Sequence, residues 1–374
     1  DMSRGLGDVY KRQTFTYTTT DGTTESAAAT VTILVDTFPV VRWASAASGN
    51  WTDPSNWDPA RVPGADDKAL IDQPGDFTVT VPSGFTQVAA LEMKGAPTLD
   101  LAGHLRVRQI GRIDAGANLI MRGLLDTFTS GQILLECPVD WNGGRFLGTG
   151  ITTQRNITTI NNGGTSQSVT LRNEGIVNWS GTGSLFFLDT TTVINAPGAQ
   201  WNVPGDRRVF NQATGGHRFI NAGSLRKTGG SGELSFGHLG SFESTGTIEV
   251  VSGQLTLNRP KVSLAGGTVD LPVGTGLVMV GSESHVIENT TFTSTDGLLR
   301  VQGGSLTVRN LTEWDGRIER SGATIVFTDS MSFRGFVDSL SSLGGRSLQQ
   351  PARCAGGGRV ANLLAQEEIS LGGD

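Results

Sequence analysis

The side chains that could do chemistry are few and scattered along the chain. The densest charged group is Asp315, Arg317, Glu319 and Arg320. A polysaccharide hydrolase or lyase needs paired carboxylates, or a base beside acids that bind a cation. In an alternating strand Arg317 and Glu319 would share one face, while Arg320 would lie on the other. We therefore expect a cross-strand salt-bridge ladder here and assign no catalytic residue.

Metal ligands are equally sparse. Oxygen ligands for a hard cation such as Ca²⁺ could come from Asp66, Asp67, Asp72 and Asp76. Their spacing matches no defined calcium loop, so solvated turn carboxylates are the favoured interpretation. The segment 229–233 (GGSGE) fits the calcium nonapeptide GGxGxD poorly, because Glu replaces Asp and the motif occurs once. Zinc-ligand spacing is missing from the four histidines, His104, His217, His238 and His285. No cofactor is expected, with Ca²⁺ as the weak alternative.

Composition narrows the class of protein. The 374 residues carry a net charge of −6, which argues against nucleic acid or an anionic membrane as a partner. The sequence contains no run of 18 apolar residues, so it predicts no membrane-spanning helix. Of the two cysteines, we expect Cys137 to be a core thiol and Cys354 an incidental one, with a disulfide as the alternative. Glycine is abundant (52 residues) without a collagen period, which indicates many tight corners.

A glycine period defines the elements that must position these side chains. Short apolar strands follow Gly175, Gly198, Gly223 and Gly246, at intervals of 23, 25 and 23 residues. A unit this short cannot bury its own apolar side and must stack on copies of itself. Three asparagines precede these corners: Asn173, Asn195 and Asn221. At such positions Asn tolerates the left-handed region and caps its own backbone.

This period predicts an all-β fold, a right-handed parallel β-helix of about ten coils over residues 85–330. A β-sandwich array is the alternative, but its units need roughly 100 residues to repeat. An ice-binding solenoid would need flat threonine ladders, which the uneven period argues against.

A tryptophan-rich segment, 40–84, precedes the repeats. Trp43, Trp51 and Trp57 are followed by Val62-Pro63-Gly64 and an alternating strand. This pattern resembles the segment that opens β-helical stretches in large bacterial surface and autotransporter-like proteins. We expect it to cap the apolar end of the solenoid. The alternative is that Trp51 and Trp57 stack on a glycan.

Two further regions flank the solenoid. Residues 14–38 contain a hairpin with an Asp21-Gly22 turn and resemble the last strands of a bacterial cadherin-like (Ig-like) domain, a β-sandwich. Residues 1–13 resemble a metagenomic adapter read-through, so we expect an artefact or a disordered leader there. Residues 331–374 lack the strand pattern and are expected to form an irregular tail.

The order of blocks over 140–330 carries a broader resemblance. The Asp140-Trp141-Asn142-Gly143 block is similar to Glu313-Trp314-Asp315-Gly316, and the order between them resembles the passenger-like repeats of giant bacterial adhesin-type proteins. The resemblance implies a fragment of a secreted or cell-surface protein, with neighbouring domains and extracellular polysaccharide or a surface ligand as partners.

The predicted function is therefore structural and adhesive, without catalysis: a stiff stalk that presents loops to surfaces or glycans. The alternative is a polysaccharide-binding or polysaccharide-cleaving β-helix. That alternative predicts Arg, Asp and aromatic side chains that converge on one face from three consecutive coils.

Overall fold

The computed structural model describes residues 12–18, 20, 26, 29–34, 38–129, 131–211, 216–311, 315–328 and 336–338. The described residues from 40 to 338 form a parallel β-solenoid, and their only helical segment is the short 3-10 turn Pro54–Asn56. The predicted fold class is confirmed. The third of its three sheets has 12 strands, so the solenoid has about 12 coils. Ten of these strands lie within residues 85–330, as expected, and the other two, Gly49–Asn50 and Thr78–Val81, belong to the tryptophan-rich segment.

Most coils contribute one strand to each sheet. The first sheet contains Leu124–Thr127, Arg145–Gly148, Gly164–Gln167, Leu185–Leu188, Arg207–Asn211, Glu233–Gly237, Gln254–Asn258, Gly276–Val280, Leu298–Gln302, Arg317–Ser321 and Phe336–Asp338. The second contains Val40–Trp43, Lys68–Ile71, Gln132–Leu135, Ile151–Gln154, Thr170–Asn173, Thr192–Asn195, Arg218–Asn221, Ser241–Ser244, Lys261–Ala265, Ser284–Glu288, Ser305–Arg309 and Thr324–Thr328. The long strands Phe85–Met93 and His104–Ile113 run through both sheets.

The third sheet contains Gly49–Asn50, Thr78–Val81, Thr98–Leu101, Asn118–Met121, Val139–Trp141, Ile157–Ile160, Ile176–Asn178, Gln200–Val203, Ser224–Lys227, Thr247–Val250, Thr268–Asp270 and Thr291–Phe292. Neighbouring strands in all three sheets pair in parallel, except that Trp57–Asp58 runs antiparallel to Val40–Trp43. A separate antiparallel hairpin pairs Arg12–Tyr17 with Ala29–Leu34. Its Asp21-Gly22 turn lies outside the described residues, as do Trp314, Cys354 and the tail from 339 onwards.

The core consists of inward side chains stacked in rows from coil to coil. In the third sheet one buried row runs without a break through Val79, Leu99, Leu119, Val139, Thr158, Val177, Trp201, Leu225, Ile248, Val269 and Phe292. Burying one such apolar side chain stabilises the fold by roughly 1.5–3 kcal/mol before the cost of ordering the chain.

Corner glycines are required because successive coils touch backbone to backbone. A Cβ added to Gly123 would lie 1.9 Å from the carbonyl oxygen of Gly103, and one added to Gly246 would lie 2.0 Å from that of Gly223. No real side chain tolerates such contacts, so the glycine period follows from coil packing as well as from turn geometry.

The asparagines before the corners form a buried ladder that the sequence pattern did not predict. Asn173 Nδ2 donates to Asn195 Oδ1 at 2.8 Å, and Asn195 Nδ2 donates to Asn221 Oδ1 at 2.8 Å. Asn221 continues the ladder to the Ser244 hydroxyl at 3.1 Å. The expected backbone cap holds for Asn173, whose Oδ1 accepts from the Gly175 N–H at 3.1 Å. None of the three asparagines has a positive φ. Their main role is therefore to join coils through the core.

Candidate functional site

The charged group near the C-terminal end of the solenoid forms a salt-bridge ladder. Glu319 accepts from Arg300 Nε of the preceding coil at 2.7 Å, and it pairs with Arg317 Nη2 at 2.7 Å. Arg320 instead donates to the Ala323 carbonyl at 3.3 Å, and Asp315 is exposed. Because each guanidinium is engaged, the geometry matches the expected ladder.

The four candidate calcium ligands are dispersed among arginine partners. Asp67 accepts from Arg61 Nη2 at 2.7 Å, and this hydrogen bond holds the pKa of Asp67 below its usual value. Asp72 pairs with Arg42 at 3.1 Å, and Asp66 pairs with Arg108 at 3.2 Å. Asp76 is exposed. Within the described part of the chain, no group of three or more acidic, His or Cys side chains is placed to hold a metal ion.

The tryptophans of the opening segment are buried together. The rings of Trp43 and Trp51 each meet the Trp57 ring edge-on, at centroid distances of 5.0 and 4.9 Å. Trp57 Nε1 also donates to the Trp51 carbonyl at 2.7 Å. A sugar cannot stack on Trp51 or Trp57 in this arrangement, because neither ring has an exposed face. The cluster lies where the sheets begin, and its capping role stays a prediction.

One corner of the solenoid contains a buried lysine that is paired with a half-exposed aspartate. The Lys227 side chain is 1% exposed, and its Nζ donates to Asp206 Oδ1 at 3.0 Å. It also donates to the carbonyls of Gly229 and Gly230 at 2.6 and 2.9 Å. The hydrogen bond from Lys227 lowers the pKa of Asp206. Thus the GGSGE corner surrounds an ammonium group of the chain itself.

Two of the histidines are buried and have poor hydrogen bonding. Neither ring nitrogen of His217 has a hydrogen-bond partner among the described residues. His285 Nδ1 accepts from the Val262 N–H at 3.3 Å, and its Nε2 has no described partner. Burial lowers the pKa of both rings. These two histidines are core residues.

The strongest candidate site lies on the first sheet, where the long strands enter it. Three successive coils supply its residues: Phe85 pairs with His104, Arg106 pairs with Asp126, and Phe128 lies two residues after Asp126. We call Phe85, His104, Arg106, Asp126 and Phe128 the Arg106 cluster. The Phe85 and Phe128 residues are 53% and 40% exposed, so their rings are available to solvent.

A buried carboxylate organises this cluster. Asp126 is 2% exposed and accepts from Arg106 Nε at 2.7 Å. His104 Nε2 lies 3.1 Å from the same Asp126 oxygen, and the His104 ring meets the Phe85 ring edge-on at 4.8 Å. A buried carboxylate needs such partners, since an unpaired charge in the interior is costly. The result is a fixed orientation for the Arg106 guanidinium.

The two phenylalanines flank that guanidinium. Arg106 Cζ lies 5.2 Å from the Phe85 ring centroid and 4.9 Å from the Phe128 centroid, within cation–π range. Arg108 Cζ also lies 6.0 Å from the Phe128 ring centroid. Arginine, aspartate and aromatic side chains thus converge on one sheet from three consecutive coils.

The sequence did not lead us to predict these residues as a site. The polysaccharide alternative nevertheless predicted this kind of arrangement, with Arg, Asp and aromatic side chains converging from three consecutive coils. Part of the signal was available: Arg106 and Asp126 are 20 residues apart, which is one coil, and Phe85 lies one coil before His104, two residues from Arg106. Reading it required the strand register, because a one-residue slip would turn each side chain to the other side of the sheet.

No family model matches the chain, and comparisons with curated proteins and with solved structures found no match. The described residues include no helix with the length and apolar character needed to cross a membrane.

Proposed function

We propose that the chain is a non-enzymatic structural and adhesive segment of a large secreted or cell-surface bacterial protein. In this proposal the solenoid is a stiff stalk that holds an adhesive face away from its anchor. The bacterial surface location rests on the resemblance of the tryptophan-rich segment and the repeat order to adhesin-type proteins, and the cadherin-like identity of the hairpin rests on residues 14–38.

The observation that carries the proposal is the unbroken buried row of the third sheet, from Val79 to Phe292. A solenoid bends where its core rows are interrupted, since each coil contacts only its neighbours. Twelve coils at a strand spacing of about 4.8 Å would give a rod roughly 58 Å long. Ion pairs between coils, such as Arg155 with Glu174 at 2.8 Å and Arg218 with Glu243 at 2.9 Å, support the outer surface.

Small-angle X-ray scattering on the purified chain tests the stalk. A cross-section plot of the scattering should show the linear region that is typical of a rod. The fitted length of the rod should match the coil count. The same sample, incubated with acidic and neutral polysaccharides, should generate no new reducing ends. A compact, nearly spherical particle would refute the stalk, and cleavage that survives repurification would refute the non-enzymatic part.

Polysaccharide binding is the second candidate function. The specific observation in its favour is the Arg106 cluster, with its two exposed phenylalanines and its oriented guanidinium. Binding and the stalk are compatible, because an adhesive stalk needs a contact surface.

A further inference from the structure

The Arg106 guanidinium has bonding capacity that the protein leaves unused. Its Nε is bonded to Asp126, but its two terminal nitrogens make no hydrogen bond to any residue that the structure describes. Buried Asp126 restricts the orientation of the guanidinium, and the flanking rings of Phe85 and Phe128 limit its lateral movement. Holding an arginine in one geometry before a ligand arrives reduces the entropy lost on binding.

We infer that Phe85, Arg106 and Phe128 form a binding site for a carboxylate-bearing sugar of an acidic polysaccharide. This inference rests on the proposed adhesive function and supplies its contact residues. Aromatic side chains exposed beside a few oriented polar groups are the usual composition of a ligand site. The apolar C–H side of a sugar ring packs on such rings.

The carboxylate is assigned from the geometry of the guanidinium. Arginine offers parallel N–H donors that match the two oxygens of a carboxylate, and such charge-assisted pairs are roughly twice as strong as neutral hydrogen bonds. A neutral sugar would offer hydroxyls alone and would gain less. Asp126 is buried behind Arg106 and already bonded, so it does not compete for the terminal nitrogens.

Arg108 provides a second cation for a polymer with repeated carboxylates. Its Nη1 lies 3.2 Å from Asp66 Oδ1, but the Asp66 side chain is 94% exposed. Exposed ion pairs contribute about 0–1 kcal/mol, so a ligand carboxylate can replace Asp66 at little cost. The two arginines lie on one strand, His104–Ile113. A linear polyuronate is therefore a better fit than a single free sugar.

The test is calorimetric titration of the full chain with three polyuronates of different linkage: polygalacturonate, polymannuronate and polyguluronate. The methyl ester of each polymer is the matched uncharged ligand. We expect at least one polyuronate to bind, its ester to bind about tenfold more weakly or worse, and salt to weaken the charged interaction. Arg106→Lys keeps the charge but removes the planar fork, and we expect about tenfold weaker binding.

Matched controls separate the site from general effects. Phe128→Ala should weaken binding severalfold, whereas Phe210→Ala should not, although Phe210 is also 40% exposed and belongs to the same sheet. Arg226→Lys, which alters a guanidinium paired with Glu249 on the third sheet, should also leave binding unchanged. Circular dichroism and the melting temperature verify that each variant is folded.

The outcomes are distinct for the site and for the stalk. Absence of binding to all three polyuronates, or equal binding by wild type and the Arg106→Lys variant, would overturn the site. Equal affinity for an acid polymer and its ester would overturn the carboxylate assignment. A non-rod scattering profile with Arg106-dependent binding would refute the stalk and leave the site intact.

Discussion

The buried asparagine ladder gives the sharpest prediction about stability. Asn195 is fully buried and makes three side-chain hydrogen bonds: it accepts from Asn173, and it donates to Asn221 Oδ1 and to the Ser224 carbonyl at 3.1 Å. Asn195→Ala removes all three bonds and leaves the buried Asn221 Oδ1 and the part-buried Ser224 carbonyl without this donor. At about 1 kcal/mol net per bond, with more for each acceptor left unsatisfied, the free energy of unfolding should fall by about 3–5 kcal/mol.

The charge variant Asn195→Asp provides an internal check. An ionised carboxylate only accepts hydrogen bonds, so it would face the oxygens of Asn221 and Ser224 with no proton to donate. We expect a loss at neutral pH at least as large as for Asn195→Ala. Relative to wild type at the same pH, this loss should shrink on acidification, because a protonated carboxyl regains one donor.

Urea unfolding followed by tryptophan fluorescence measures these changes, provided that the m-value stays constant. Amide hydrogen exchange over residues 192–226 adds a local readout, since solenoid coils can open separately. The control is Asn161→Ala, which removes an exposed hydrogen bond to Asp140 at 2.9 Å and a long exposed one from the Ser180 hydroxyl at 3.5 Å. This variant should change stability by less than about 0.5 kcal/mol. If Asn195→Ala costs no more than this control, the coils are not joined by the ladder.

Further predictions concern a corner, a thiol and a histidine. Gly123→Ala should lower the free energy of unfolding in urea by several kcal/mol, because its Cβ would collide with a carbonyl oxygen at 1.9 Å. Gly64→Ala is the control and should be nearly neutral, because its Cβ would meet an ordinary 3.5 Å contact. Equal effects of the two variants would contradict the close coil packing. Burial raises the pKa of the Cys137 thiol to about 12, so in a Cys354→Ser background iodoacetamide should label it only after denaturation; labelling of the folded chain at pH 8 would contradict this. Burial lowers the pKa of His285 in the folded protein, so the unfolded state binds this proton more readily. The contribution of neutral His285 to folding stability should therefore be complete above about pH 6.5 and should be lost as the pH falls. His285→Phe should flatten that part of the stability–pH curve, and an unchanged slope would refute the assignment.

Much of the architecture follows from local sequence. The interval between Gly175, Gly198, Gly223 and Gly246 fixed the coil length, and the short alternating strands fixed which side chains point inward. The ladder at Arg317 and Glu319 was also predictable, because residues two apart in a strand share one face. Trp51 and Trp57 were harder to interpret, since the sequence shows an aromatic cluster but not whether its rings are covered.

The sequence alone determined the period, the strand pattern and the need for glycine at the corners, because these depend on backbone geometry and on neighbours along the chain. The contacts of Arg106 with Phe85 and Asp126, and the inward position of Asn173, Asn195 and Asn221, depend on how the coils stack. Residues one coil apart become neighbours through the register of parallel strands, and the coil length varies along the chain. Only the stacked coils, in which each strand is paired with its neighbours, fix which side chains lie in contact.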